Sequence, residues 1–107
     1  MPFVDTNQLP QHERRPGWLG RYFHSPSLTF AHWDFTAGAD IHEHSHEQEE
    51  VWEVIEGEFA ATIAGETRVA GPGMVAIVPA NTLHSVVAVT DGRAIVIDYP
   101  LRPEMDG

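Results

Sequence analysis

The chain has 107 residues, enough for one domain, since either half alone would bury too little surface to stay folded. Its composition, 42% hydrophobic and 21% charged, suits a globular protein and not a disordered one, while sixteen acids against six bases, all arginine, give a net charge of -10 that argues against nucleic acid and anionic membranes as partners. The lack of cysteine rules out disulfides, thiolate metal sites, iron–sulfur clusters and cysteine nucleophiles.

Residues 1–17 carry Pro2, Pro10, Pro16 and Gly17 among polar residues and read as an extended arm ahead of a single domain over residues 18–107. The arm has no apolar stretch of the kind a secretory signal needs, and the longest apolar run, residues 74–78, is too short to span a bilayer. A soluble, cytoplasmic protein is therefore expected. From Trp18 onward, short runs rich in Val, Ile, Phe, Trp and Thr alternate with turn residues about every 8 to 12 positions, the pattern of a sandwich or barrel. The runs predict strands at 20–24, 28–35, 42–46, 50–56, 59–63, 67–69, 74–78, 84–89 and 94–99. Gly38, Gly57-Glu58, Gly65-Glu66, Gly71-Pro72-Gly73, Asn81 and Asp91-Gly92 supply the turns between them. No window sustains a helical apolar stripe beyond a turn near the N-terminus. The fold class is all-β, with open edges removed by closure into a jelly-roll barrel or by dimerisation.

Four of the seven histidines fall in two places, His42, His44 and His46 in one segment and His84 in another. Strand alternation puts 42, 44 and 46 on one face. A single histidine there would read as a solvent-facing polar residue, but three imidazoles and a nearby carboxylate are what a divalent cation takes as ligands. Alternation alone leaves the carboxylate open among Glu49, Glu50 and Glu53.

The spacing is similar to that of a known family. Gly38, five residues, His44-Ser45-His46, three residues, Glu50, six residues and Gly57 match the first cupin motif without a gap. Gly73, five residues, Pro79-Ala80-Asn81, two residues and His84 resemble the second, departing at Asn81, where the family has glycine, and at Ala88, where it has asparagine. Asparagine tolerates a left-handed turn, so the first departure is mild. The resemblance implies a small cupin jelly-roll β-barrel in which His44, His46, Glu50 and His84 hold one divalent metal facing the interior. His42 then reads as a rim residue or one that supports a ligand from behind, with a role as an alternative ligand left open. Three histidines and a carboxylate leave coordination positions open and accept iron, manganese, zinc, nickel or cobalt.

Trp33 or His32, Phe35, Trp52, Val86, Ile95 or Asp98, and Tyr99 are the candidates to line the pocket. Asp98, in the apolar run Ala94 to Tyr99, either ends the strand or faces a polar cavity, because an unpaired buried carboxylate is costly; the strand exit is the expected position. The tail from Asp98 to Glu104 resembles that of the small cupins that linearise unsaturated uronates in pectin and alginate breakdown, with a shorter spacing between Asp98 and Arg102. That resemblance implies Asp98 as a proton-transfer residue and Arg102 as a carboxylate clamp.

Three functions follow: a metal-dependent isomerase, lyase or cyclase acting on a small keto or enolisable, possibly sugar-derived, molecule; an iron-dependent dioxygenase; or a non-catalytic metal or small-molecule binding module, for which a solvent-exposed Asp98 would speak. A small-molecule substrate and a homodimer are the expected partners. Seven of the sixteen acids lie between positions 43 and 58, a local run of which Glu50 is one member.

Overall fold

The computed structural model describes residues 2–106, the side chain of Asp106 excepted. Ten strands run in chain order: β1 (His12–Arg15), β2 (Trp18–His24), β3 (Thr29–Phe35), β4 (Asp40–His44), β5 (Glu49–Glu56), β6 (Phe59–Ile63), β7 (Glu66–Ala70), β8 (Val75–Val78), β9 (His84–Ala88) and β10 (Gly92–Tyr99). Short 3-10 turns lie at Thr6–Gln8 and Pro103–Asp106. No described helix is long and apolar enough to cross a membrane. The strands form two antiparallel sheets, one in the order β1-β2-β3-β10-β5-β8 and one in the order β4-β9-β6-β7, the jelly-roll sandwich.

Alternation sorts each strand into an inner and an outer face. Thr29, Ala31, Trp33 and Phe35 of β3 point inward, as do Glu50, Trp52 and Val54 of β5, His84, Val86 and Ala88 of β9, and Ala94, Val96 and Asp98 of β10. Each of the last three strands runs from an apolar core residue at one end to a polar residue at the other. Register aligns these gradients, since Ala94 pairs with Val54, Val96 with Trp52 and Asp98 with Glu50. The sandwich therefore has a closed apolar end and a polar end. At the closed end Phe59 packs edge-on against Phe35 and Trp52, and Trp18 against Trp52; burial of each such ring contributes roughly 1.5–3 kcal/mol.

Two glycines have steric roles. Gly57 closes the first motif with a φ of 76°, and a Cβ there would collide with the Asp91 carbonyl oxygen. At Gly20 a Cβ would lie 2.6 Å from the Trp33 ring, so the glycine lets that indole lie flat on β2. Asn81, standing where the family has glycine, has a φ of 60°, the left-handed conformation that asparagine tolerates.

The structure differs from the sequence reading in two elements. The arm is not wholly irregular: its last residues, His12–Arg15, pair with β2 as the sheet's edge strand. Proline on either side and a charged sequence without alternation hide this strand, and both features suit an edge. The second difference is that β4 covers Asp40–His44 rather than 42–46, with a register shift between Ile41 and His44. His46 lies beyond the strand, in the turn leading to β5. His42, His44 and His46 thus do not share one strand face.

On the outer face of the larger sheet, register places Phe23, Phe30, Ile97, Val51 and Ile77 in one row across five strands. None of the five is buried, and Ile77 is 58% exposed.

Candidate metal centre

The polar end opens into a cavity of about 710 Å³ lined by His44, Glu50, His84, Asp98 and Arg102 on one side and by Trp18, Trp33, Trp52 and Val86 on the others. His44 arrives from the end of β4, His46 from the turn after it, Glu50 from β5 and His84 from the first position of β9, directly paired with His44. The ring centroids of His44 and His84 are 4.2 Å apart, and those of His46 and His84 4.9 Å. One ligand atom from each of the three histidines lies within 4.8 Å of the others, so the cluster could hold a metal ion.

Each imidazole is oriented by the backbone. Nδ1 of His44 meets the carbonyl of His42 at 2.8 Å, Nδ1 of His46 that of Gln48 at 3.1 Å, and Nδ1 of His84 that of Thr82 at 2.8 Å. A carbonyl can only accept, so each Nδ1 carries a proton, which leaves Nε2 as the ligand atom of the neutral ring. The Nε2 atoms of His46 and His84 are buried without a hydrogen-bond partner among the described residues. Buried polar atoms are rarely left so, and this set of aligned, unpartnered nitrogen donors fits a divalent cation.

Glu50 is 2% exposed. Trp52 donates Nε1–H to its Oε1 at 2.6 Å, and Arg102 donates to its Oε2 at 3.3 Å. The Nε2 atoms of His46 and His84 approach the same carboxylate at 3.5 and 3.6 Å. Burial alone would push Glu50 up, but His46, His84, Asp98 and Trp52 together hold it well below the usual carboxylate range. Burial pulls His84 down, yet Glu50 and the Thr82 carbonyl outweigh it and raise its pKa, whereas burial lowers that of His44.

Asp98 is not at an exit. It is 3% exposed and faces the cavity, paired across the sheet with Glu50 on one side and Thr29 on the other. Burial first, and then Glu50, push its pKa up to about 9, so at neutral pH the metal-free protein holds a protonated carboxyl beside a charged one. Arg102 bridges the two, 3.3 Å from Glu50 and 3.8 Å from Asp98. Arg102 is itself located by buried neighbours: its N–H donates to Thr29 Oγ1 at 2.7 Å, and Gln48 Nε2 donates to the Leu101 carbonyl at 3.3 Å.

Of the other sequence candidates, Trp33, Trp52 and Val86 line the cavity. Phe35 is core, its ring tilted against that of Trp18. Tyr99 is 58% exposed and points outward, one position out of phase with Asp98. His32 and Ile95 lie on the outer face, where His32 meets Arg93 at 3.2 Å. His42 is exposed, lines the cavity and stands outside the metal-compatible cluster. Sequence reasoning missed Trp18, Tyr22, Thr29, Gln48 and Arg14. Gln48 had a usable signal, being the uncharged residue within Glu47-Gln48-Glu49-Glu50; it is 2% exposed and ties the ligand turn to the tail.

The signs of these shifts give a pH dependence for the chelator-treated protein. A group whose pKa is raised on folding contributes stability below its unfolded value and loses it as pH rises through the folded value. For Asp98 that window runs from 3.8 to about 9; His84 acts in the same direction, and His44, lowered, opposes it. The melting temperature of metal-free protein should fall between about pH 5.5 and about pH 8.5, and Asp98→Asn should flatten the slope. A melting temperature rising over that range would contradict the assignment.

The Cupin domain family model matches residues 31–100, and the chain belongs to the cupin family. Its structure is similar to that of KdgF from Halomonas sp., with 28% identity, a TM-score of 0.90 and coverage of 98% of both chains. It is also similar to an RmlC-like cupin from Shewanella frigidimarina NCIMB 400, with 25% identity, a TM-score of 0.91, and coverage of 98% of this chain and 96% of that one. A variant of oxalate decarboxylase from Bacillus subtilis shares the fold at 18% identity and a TM-score of 0.80, over 91% of this chain and 29% of that one. No protein with a curated description matches the sequence.

Proposed function

We propose that the protein is a metal-dependent enzyme of isomerase, lyase or cyclase type, acting on a small keto or enolisable substrate of the sugar-derived class. His44, His46 and His84 would hold the ion, with Glu50 as the fourth ligand. A divalent cation at this position supplies Lewis acidity that polarises a carbonyl or ring oxygen.

The observation that carries the reading is Asp98, a buried carboxyl that lines the cavity beside Glu50 and whose pKa burial and Glu50 raise in the metal-free protein. Its Oδ1 has no hydrogen-bond partner among the described residues, leaving that oxygen available to a bound molecule. A carboxyl with a raised pKa can donate its proton to a substrate oxygen and recover one from an adjacent carbon, the shuttle that enolisation needs. Arg102 keeps Asp98 and Glu50 side by side without full repulsion, while the indoles of Trp18, Trp33 and Trp52 exclude water from the cavity walls. An iron-dependent dioxygenase would use the same donors but has no need of a buried acid, and a pure binding module would favour an exposed one. The test is turnover over a panel of keto-sugars, diketones and enolisable phenols, with dioxygen uptake followed in parallel. Uptake coupled to product would replace this reading with the dioxygenase.

A second copy of the chain is the partner we propose for the outer face. The row Phe23, Phe30, Ile97, Val51 and Ile77 is a contiguous apolar strip of the kind monomers seldom leave open, and a two-fold pairing would lay it against itself. Light scattering should give twice the 11.9 kDa chain mass, and Ile97→Glu should halve it. A monomeric wild type would rule the pairing out.

A further inference from the structure

Both oxygens of the buried Glu50 carboxylate are already taken. Trp52 donates to Oε1 at 2.6 Å and Arg102 Nη1 to Oε2 at 3.3 Å, while the Nε2 atoms of His84 and His46 face the same two oxygens at 3.6 and 3.5 Å. With its proton on Nδ1, a neutral imidazole can only accept at Nε2, and so can a carboxylate oxygen. Lone pairs therefore converge here, and positive charge is needed to hold them together. Arg102 supplies it from the side. The other arginines that line the cavity, Arg14 and Arg15, donate to the backbone carbonyls of Glu104 and Asp40. Arg93 pairs with Asp34 and Glu56, which lie outside the cavity.

A divalent ion on these ligands would share Glu50 with Arg102, and two effects then oppose each other. A donor behind a ligating carboxylate fixes its orientation and strengthens the site, whereas a fixed positive charge beside a dication weakens it. Orientation is already secured by the shorter bond from Trp52, a neutral donor, so the charge of Arg102 decides the sign. We propose that Arg102 is the internal counter-cation of the metal centre. In the metal-free protein it neutralises Glu50 and keeps the ligands folded together; towards the ion it is a competitor, and it holds the affinity below what the ligands alone would give. Asp98 and Glu104, 3.8 and 2.8 Å from the guanidinium, are the partners it keeps when Glu50 is taken. The inference rests on the reading of the cluster as a metal site. The guanidinium can be removed without undocking the tail, because the Arg102 N–H is held by Thr29 Oγ1, the Leu101 carbonyl by Gln48, and Met105 is buried.

Titration of the chelator-treated full chain with zinc, in competition with a chromogenic chelator, tests it. Arg102→Met should bind zinc about tenfold or more tightly than wild type. Arg102→Gln, which keeps hydrogen-bond donors without the charge, should do the same, and Arg102→Lys should stay near wild type. Arg93→Met, the same charge change outside the cavity, should leave the affinity unchanged. Metal-free Arg102→Met should melt below metal-free wild type, since Glu50 loses its buried partner, and zinc should close most of that gap. Zinc affinity in Arg102→Gln equal to or weaker than wild type, binding by Arg102→Lys as tight as by Arg102→Met, or an equal gain in Arg93→Met would each overturn the proposal. Wild type that takes up no zinc would instead overturn the metal-site reading itself, so the two failures are distinguishable.

Discussion

His84→Ala protein should purify without bound metal, its affinity lowered by more than the ten- to hundredfold that follows loss of a group merely orienting a ligand. His84 is 2% exposed, its Nδ1 is fixed on the Thr82 carbonyl, and its Nε2 is unpartnered beside Glu50 and the other two imidazoles. Alanine removes that donor and leaves a space that water fills with poorer geometry. The aromatic core lies at the opposite end of β9, around Ala88, so the variant should still melt cooperatively. A divalent ion that binds the native state raises the melting temperature in proportion to the logarithm of its concentration over Kd. Wild type should show that rise and the variant should not. Retention of stoichiometric metal by folded His84→Ala would remove His84 from the ligand set. His84→Gln, closer in volume, covers the case in which alanine fails to fold.

Asp98→Asn should keep its metal and lose turnover by about 10²- to 10⁴-fold, the range attributable to one general acid–base group. The substitution is nearly isosteric, so Arg102 and Glu50 have no steric reason to move far. The deficit should therefore fall on kcat with little change in KM, the mark of a group that acts in the transition state and not in ground-state binding. Unchanged turnover in the metal-replete variant would take Asp98 out of the mechanism. Loss of metal with turnover would instead make it part of the ion's environment, in line with its proximity to His46 and Glu50.

Both predictions concern residues that the sequence exposed to different degrees. The paired motifs from Gly38 to Ala88 made the family legible, because their glycines and histidines answer to fixed steric and donor requirements: Gly57 cannot carry a Cβ, and Asn81 occupies the left-handed turn. The histidine alternation was a poorer guide. The register shift in β4 and the early end of that strand send His46 into a turn, and it is the turn that brings its ring to His84. Asp98 was misjudged because a burial rule for isolated acids was applied to one that shares a buried site with Glu50 and Arg102, partners 48 residues upstream and four downstream in the chain. Tyr99 was a candidate to line the pocket, although one-residue alternation forbids both Asp98 and Tyr99 from facing the cavity. Strand β1 left no apolar pattern to read, and Arg14 was hidden with it.

The charge imbalance also has a spatial meaning in the folded chain. Glu49, Glu53, Glu56 and Glu58 are exposed, while Glu50 and Asp98 are buried with Arg102 at the cavity. An anionic molecule approaching a surface of net charge -10 therefore depends on the few cations that line the cavity, Arg14, Arg15 and Arg102.

The most direct test of the central claim, that the three-histidine cluster and Glu50 form a resident divalent metal site, is elemental analysis of the folded protein purified from its native host. The account predicts close to one equivalent of a single divalent metal per chain, removed by chelator and restored on reconstitution. Folded protein that holds no divalent metal however it is purified, and takes none up when it is supplied, would contradict it.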